Sequence, residues 1–211
     1  MSEITTLEQL AATIPSMGGR EIGPFLRKRA ARVLTGEAIV ELGCWLGAGT
    51  AQMALGVLDS KQRVQIHSYD YFKTRGSECE KAAAGGLILR KHENTESLVR
   101  SWLEPFRINL ELHKGDIADT KWCGFPIALY VDDACKRKPA FLRALRTFAP
   151  WWITDRTVIV LMDYYYFLKN PDRALRFQYE FVKSHPQCFR QIWRSAEYSV
   201  AAFRYTGGLM L

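Results

Sequence analysis

The chain has no run of 18 or more apolar residues, so no segment reads as a membrane-spanning helix. No charged-then-apolar leader opens it, and the expectation is an unexported, cytoplasmic protein. Cysteine is scarce: Cys44, Cys79, Cys123, Cys135 and Cys188 are odd in number and scattered, with no Cys-x-x-Cys pair. That spacing argues against a disulfide framework and against a thiolate zinc site. Also missing are the Gly-x-Gly-x-x-Gly fingerprint of dinucleotide enzymes and the Gly-Lys-Ser/Thr of phosphate loops. There is no Asn/Asp-Pro-Pro-Tyr motif and no Pro-Cys pair, so methylation of nucleic-acid bases is disfavoured despite a net charge of +7. No internal repeat or low-complexity tract interrupts the 211 residues, and an apolar fraction of 48% suffices for one substantial core.

Residues 38 to 55 stand out: an apolar segment runs into a glycine-studded turn and then directly into a helical pattern. Gly43, Gly47 and Gly49 let the backbone turn sharply and approach a ligand, and the free N–H groups opening the helix near Thr50 favour polar or anionic atoms. Glu41 ends the strand just before the first glycine. A carboxylate there repels a pyrophosphate but accepts hydrogen bonds from an ammonium group or from ribose hydroxyls. The sequence Glu41-Leu42-Gly43-Cys44-Trp45-Leu46-Gly47-Ala48-Gly49-Thr50 resembles the first motif of class I S-adenosylmethionine-dependent methyltransferases. Trp45 replaces the usual middle glycine, a variant similar to the macrocin O-methyltransferase and cephalosporin hydroxylase-like branch.

The remaining pattern is compatible with that resemblance. Residues 6 to 13 and 21 to 33 read as helices ahead of the sheet, so residues 1 to 36 form an N-terminal helical cover and 37 to 211 the main body of a single globular domain. Strand and helix then alternate, which predicts a parallel sheet. The second strand, from Val64, ends in Asp70, about 20 residues beyond the glycine turn, where nucleotide-binding sheets place an acid for ribose hydroxyls. Residues 71 to 92 read as a connection with one short helix, of a kind that forms lids. Residues 94 to 104 are helical, with Pro105 as the stop. Residues 107 to 113 alternate strictly and read as an edge strand; 127 to 132 and 157 to 163 are continuous apolar runs and read as central strands. A helix opens at Pro139, a long one is expected from Pro171 to Lys183, and segments 189 to 194 and 199 to 205 read as a closing hairpin. The expected fold is α/β, Rossmann-like and doubly wound: a mostly parallel seven-stranded sheet with a C-terminal antiparallel hairpin.

Glu41, Asp70, Asp116, Asp132 and Asp163 therefore lie at five successive strand ends, the edge at which open α/β sheets bind ligands. The resemblance implies S-adenosylmethionine as cofactor. Cofactor contacts are expected from Glu41, Gly43, Cys44, Trp45, Gly47, Gly49, Thr50, Asp70 and Asp132, with Asp116 and Ile117 at the adenine. Trp45 either covers the cofactor or fills the gap between helix and sheet. Asp132, Asp133 and Asp163 are carboxylates that would repel one another without a cation, so magnesium is a candidate ligand for the three. In the resembled branch the acids read Asp-x-Asp and Asp-Asp-Tyr; here they read Asp132-Asp133-Ala134 and Asp163-Tyr164-Tyr165. Asp132 and Asp133 are the candidate catalytic acids, and a structural or methionine-contacting Asp132 stands as the alternative to a metal ligand.

Tyr164 to Phe167 are expected to pack, His67 and His113 to be packed or solvated, and the arginines and lysines of residues 20 to 32 to form a solvated helix face. The cluster Lys136-Arg137-Lys138 precedes a helix, where cations are disfavoured; it reads either as a solvated loop or as cations offset by an acidic acceptor or by Asp132 and Asp133. The activity expected is methyl transfer to a small-molecule acceptor, most simply at oxygen. A non-catalytic cofactor-binding module of the same fold is the alternative. A second copy of the chain, as a homodimer, is a candidate partner.

Overall fold

The computed structural model describes residues 3–122, 124–196 and 199–211, and Cys123 lies outside the described residues. Two helices, α1 (Glu3–Thr13) and α2 (Gly19–Ala30), precede strand β1 (Ala38–Leu42). Then follow α3 (Ala48–Ser60), β2 (Gln65–Asp70), α4 (Gly76–Ala84), α5 (Glu96–Leu103), β3 (Asn109–Lys114) and β4 (Ile127–Asp132). The chain finishes with α6 (Lys138–Phe148), β5 (Val158–Leu161), α7 (Phe177–Ser184), β6 (Phe189–Arg194) and β7 (Ala201–Tyr205).

The seven strands form one sheet in the order β3-β2-β1-β4-β5-β7-β6. Strands β1 to β5 are parallel, and β7 runs antiparallel between β5 and β6. This is the doubly wound sheet with a terminal hairpin that the sequence pattern predicts. Strands β4 and β5 are buried along their whole length, which is why residues 127 to 132 and 157 to 163 read as continuous apolar runs. β3 pairs only with β2 and exposes Asn109 and Glu111, so its alternation is that of an edge. The strand order reverses between β1 and β4, and the crevice at their carboxyl ends is the expected ligand site.

Both faces of the sheet are covered. Phe141, Phe148 and Phe181 of α6 and α7 pack on one face against Val40, Tyr130 and Ile159. Ile22, Phe25, Leu26, Met53 and Val57 of α2 and α3 pack on the other against Ile39, Ile66 and Val160. Leu7 and Ala11 of α1 pack in a further cluster with Leu46, Ala54 and Leu55, so both cover helices are part of the core. Arg27 binds both Asp59 on α3 and Glu8 on α1, so this arginine of the basic run pins three helices together instead of standing free in water. The helix expected from Pro171 is shorter than its pattern: Asp172 accepts from the Ala174 N–H at 2.9 Å, closing a tight 3-10 turn over Arg173–Arg176 before α7 begins. No helix among the described residues is long and apolar enough to cross a membrane.

Candidate cofactor and acceptor cleft

The glycine turn between β1 and α3 is held in an unusual backbone shape. Gly43 has φ +85°, Trp45 φ +47° and Gly47 φ +86°. The left-handed conformation at a tryptophan is costly, and Asp70 holds it in place. One Asp70 oxygen accepts from the Trp45 N–H at 2.8 Å and the other from the Phe72 N–H at 2.8 Å. A methyl group on Gly43 would stand 3.2 Å from both the Ala134 Cβ and the Asp133 carbonyl carbon, so the turns after β1 and β4 touch there. Gly49 admits the Glu41 carboxylate, whose Oε1 would lie 2.7 Å from any added Cβ. Gly47 instead faces Val99 and Leu103 of α5.

Glu41 is 3% exposed and lies opposite Ser68 in the β1–β2 register. Its Oε2 accepts from the Thr50 hydroxyl at 2.5 Å and from the Ser68 hydroxyl at 2.7 Å. Burial pushes its carboxyl from the ordinary 4.5 up to about 7, against the pull of those two donors. The folded state therefore keeps a proton that the unfolded chain releases. The stabilisation is full below about 4.5 and is lost as pH rises through about 7. Glu41→Gln is expected to flatten this decline, so that the ligand-free variant gains on the wild type as pH rises across that window. Urea unfolding at several pH values checks it, and parallel wild-type and variant curves would show that Glu41 stays ionised.

Two adjoining cavities open at the carboxyl edge. One, about 450 Å³, is bordered by Asp70, Tyr71, Asp116, Ile117, Ala134 and Ala140. The other, about 400 Å³, lies under the turn joining α1 to α2 and is bordered by Ile14, Met17, Arg20, Gln52 and Met162. Met17, Gly43, Trp45 and Asp133 border both, so the lobes form one cleft of a size suited to a nucleoside and a second small molecule. Trp45 stands at the junction of the two lobes, and its buried indole N–H has no protein partner. In the first lobe Asp116 accepts from the Ala118 N–H at 2.8 Å and from the Tyr71 hydroxyl, and these donors hold its carboxyl below the usual range.

The acids after β4 and β5 have separate roles. Asp132 is 1% exposed; its Oδ1 caps the following turn by accepting from the Cys135 N–H at 2.7 Å and the Ala134 N–H at 3.1 Å, while Oδ2 has no partner. Burial pushes its carboxyl up to about 6. Asp133 projects into the cleft. Desolvation, then the charges of Asp163, Asp132 and Glu41, push its carboxyl upward against the opposing pull of Lys136. The Lys136 ammonium pairs with Asp163 Oδ2 and lies 3.9 Å from Asp133 Oδ1.

Asp132, Asp133 and Asp163 thus reach the same corner without converging into a shared ligand set: among the described residues, the one triad within ligand-sharing distance is elsewhere. The donor set as arranged does not fit magnesium, because a tethered ammonium already stands between two of its members.

Of the residues singled out in the sequence, Glu41, Gly43, Cys44, Trp45, Gly49, Asp70, Asp116, Ile117 and Asp133 border the cleft. Gly47, Thr50, Asp132 and Asp163 stand behind it as supports. Tyr164 packs in an aromatic cluster with Tyr165, Tyr179 and Phe203, as expected. Ser68 and Met17 carried no motif, and Arg20 belonged to the basic run that reads as a solvated helix face. The basic cluster at 136 to 138 was the one sequence signal for Lys136.

The fold places the chain beside solved methyltransferase structures. It superposes on the O-methyltransferase NovP with a TM-score of 0.66 at 13% identity, covering 98% of this chain and 100% of that one. Cofactor-bound Rv0187 from MTB gives 0.63 at 18%, covering 98% and 90%. The SAH-bound Podospora anserina methyltransferase PaMTH1 gives 0.58 at 13%, covering 98% and 89%. No protein-family model matches the chain, and no curated protein does. The chain has the class I methyltransferase fold.

Proposed function

We propose that the protein is an S-adenosylmethionine-dependent methyltransferase acting at an oxygen of a small-molecule acceptor. The observation that carries this is the meeting of two lobes at Gly43, Trp45 and Asp133, one suited to a nucleoside and the other lying beneath the helical cover. Asp70 would hold the ribose hydroxyls through oxygen lone pairs its two backbone donors leave free, and Asp116 with Ile117 would border the adenine. The indole N–H of Trp45 and the Glu41 carboxylate would serve the amino-acid end. When bound, the cofactor supplies a methyl group activated on a sulfonium.

The protein's part is alignment and proton management. Asp133 borders both lobes, so it is the group placed to accept the acceptor's hydroxyl proton as the oxygen–methyl bond forms and the sulfur–methyl bond breaks. Asp132 does not reach the cleft; it positions Asp133 by capping the turn that carries it. Lys136 takes the role that a metal ion would otherwise fill, balancing Asp133 and Asp163, and magnesium has no part in this proposal. Arg20, exposed at the rim of the second lobe, favours an acceptor bearing an acidic group.

Isothermal titration of the full chain with S-adenosylhomocysteine is expected to show one site, weakened at least tenfold in Asp70→Ala. No heat at millimolar ligand would remove the proposal. Methyl transfer from a labelled donor to hydroxylated acceptors, with and without a carboxylate, then separates an enzyme from a binding module.

A further inference from the structure

A second constellation lies on the sheet edge, outside the cleft. His67 of β2 faces Glu111 of β3 across the register, and His113 follows two residues along the same face. His67 Nδ1 and His113 Nε2 are 3.0 Å apart, and Glu111 Oε2 is 3.6 Å from the first and 3.5 Å from the second. The two carboxylate distances are too long for good N–H···O hydrogen bonds. All three distances lie near the edge of a tetrahedron around an ion with bonds of 2.0–2.1 Å, which is ~3.3 Å. Three donor atoms of types that bind zinc therefore surround one point.

The triad is also held in place. Trp122 meets the His67 ring edge-on at 4.6 Å, and Tyr69 stacks on His113 at 4.3 Å. Gln65 donates to the other Glu111 oxygen and so turns Oε2 toward the imidazoles. The Gln65 hydrogen bond is of the kind that orients ligands in metal centres. His67 is 7% exposed and Glu111 is open to water, which leaves room for a solvent ligand at a fourth position.

We propose that His67, Glu111 and His113 form a binding site for a divalent transition-metal ion of the zinc class, completed by water. Its place suggests a structural use. β3 pairs only with β2, and an ion bound by both strands staples the free edge of the sheet. Tyr69, stacked on His113, also borders the nucleoside lobe, so the staple stiffens one wall of the cleft.

The test is zinc and cobalt binding to the purified full chain by chelator competition, with His113→Gln and Glu111→Gln alongside and circular dichroism to verify that each variant is folded. The expected result is one zinc per chain, affinity reduced by about 100-fold or more in His113→Gln, since losing even an outer partner of a ligand costs about 10–100-fold, and less so in Glu111→Gln. Cobalt should give visible d–d bands without a thiolate charge-transfer band, and zinc at a concentration near the wild-type dissociation constant should raise the thermal midpoint of the wild type more than that of either variant. Absence of stoichiometric binding, equal affinity in folded His113→Gln, or a thiolate band pointing to the cysteines would overturn the proposal.

Discussion

Asp133→Asn is expected to lower the rate of methyl transfer by about 100-fold or more while leaving the affinity for S-adenosylhomocysteine within a few-fold. Asparagine preserves the shape of the side chain that borders both lobes and removes its ability to take a proton. The charge change is local, since Lys136 keeps its contact with Asp163. The pH profile gives a second readout. The wild-type carboxyl is pushed upward by desolvation and by neighbouring acids, so the rate should climb as pH rises through its titration. Asp133→Asn should lose that limb. Single-turnover rates with labelled donor check both points, and a variant within tenfold of the wild type would mean that the proton leaves by another route.

The sheet was legible in the sequence because its strands differ in environment. The continuous apolar runs of β4 and β5 are those of strands covered on both faces, whereas Leu110 and Leu112 alternate with polar residues because β3 has one wet side. The acids at the strand ends followed from the same boundaries. What stayed hidden depends on pairing between distant segments. Ser68 reaches Glu41 only because the β1–β2 register sets them side by side, and His67, Glu111 and His113 gather only through the β2–β3 register. Gly43 and Gly47 look alike in sequence, yet one faces the turn after β4 and the other faces α5. Lys136 was visible as an unfavourable cation ahead of a helix; its partner at the end of β5 was not. The division of labour among Asp132, Asp133 and Asp163 follows from where that lysine lies, which no spacing along the chain encodes.

Gly56→Val is expected to destabilise the protein by about 3 kcal/mol or more, because α2 approaches α3 too closely for a Cβ to fit there unless α2 shifts. A Cβ at Gly56 would lie 2.2 Å from the Arg27 backbone oxygen, 2.9 Å from the Ala30 Cβ and 3.0 Å from the Ala31 nitrogen. Two of those neighbours are backbone, so relief requires α2 to move as a body. That movement would strain the contacts of Arg27 with Asp59 and Glu8, which tie the same three helices. It would also reach the cleft: Arg20, Ile22, Gly23 and Pro24 at the start of α2 border the lobe beneath the cover, proposed for the acceptor, with Gln52 of α3 opposite. The other lobe, proposed for the nucleoside, is bordered mainly by the turns after β1 to β4 and takes only Met17 from the cover. The smaller change Gly56→Ala should therefore retain binding of S-adenosylhomocysteine while raising KM for the acceptor. Urea unfolding and the two binding constants measure this, and wild-type stability in Gly56→Val would refute the close approach. A split between donor and acceptor affinity would make α2 a working wall of the site, with Gly56 setting its distance from α3.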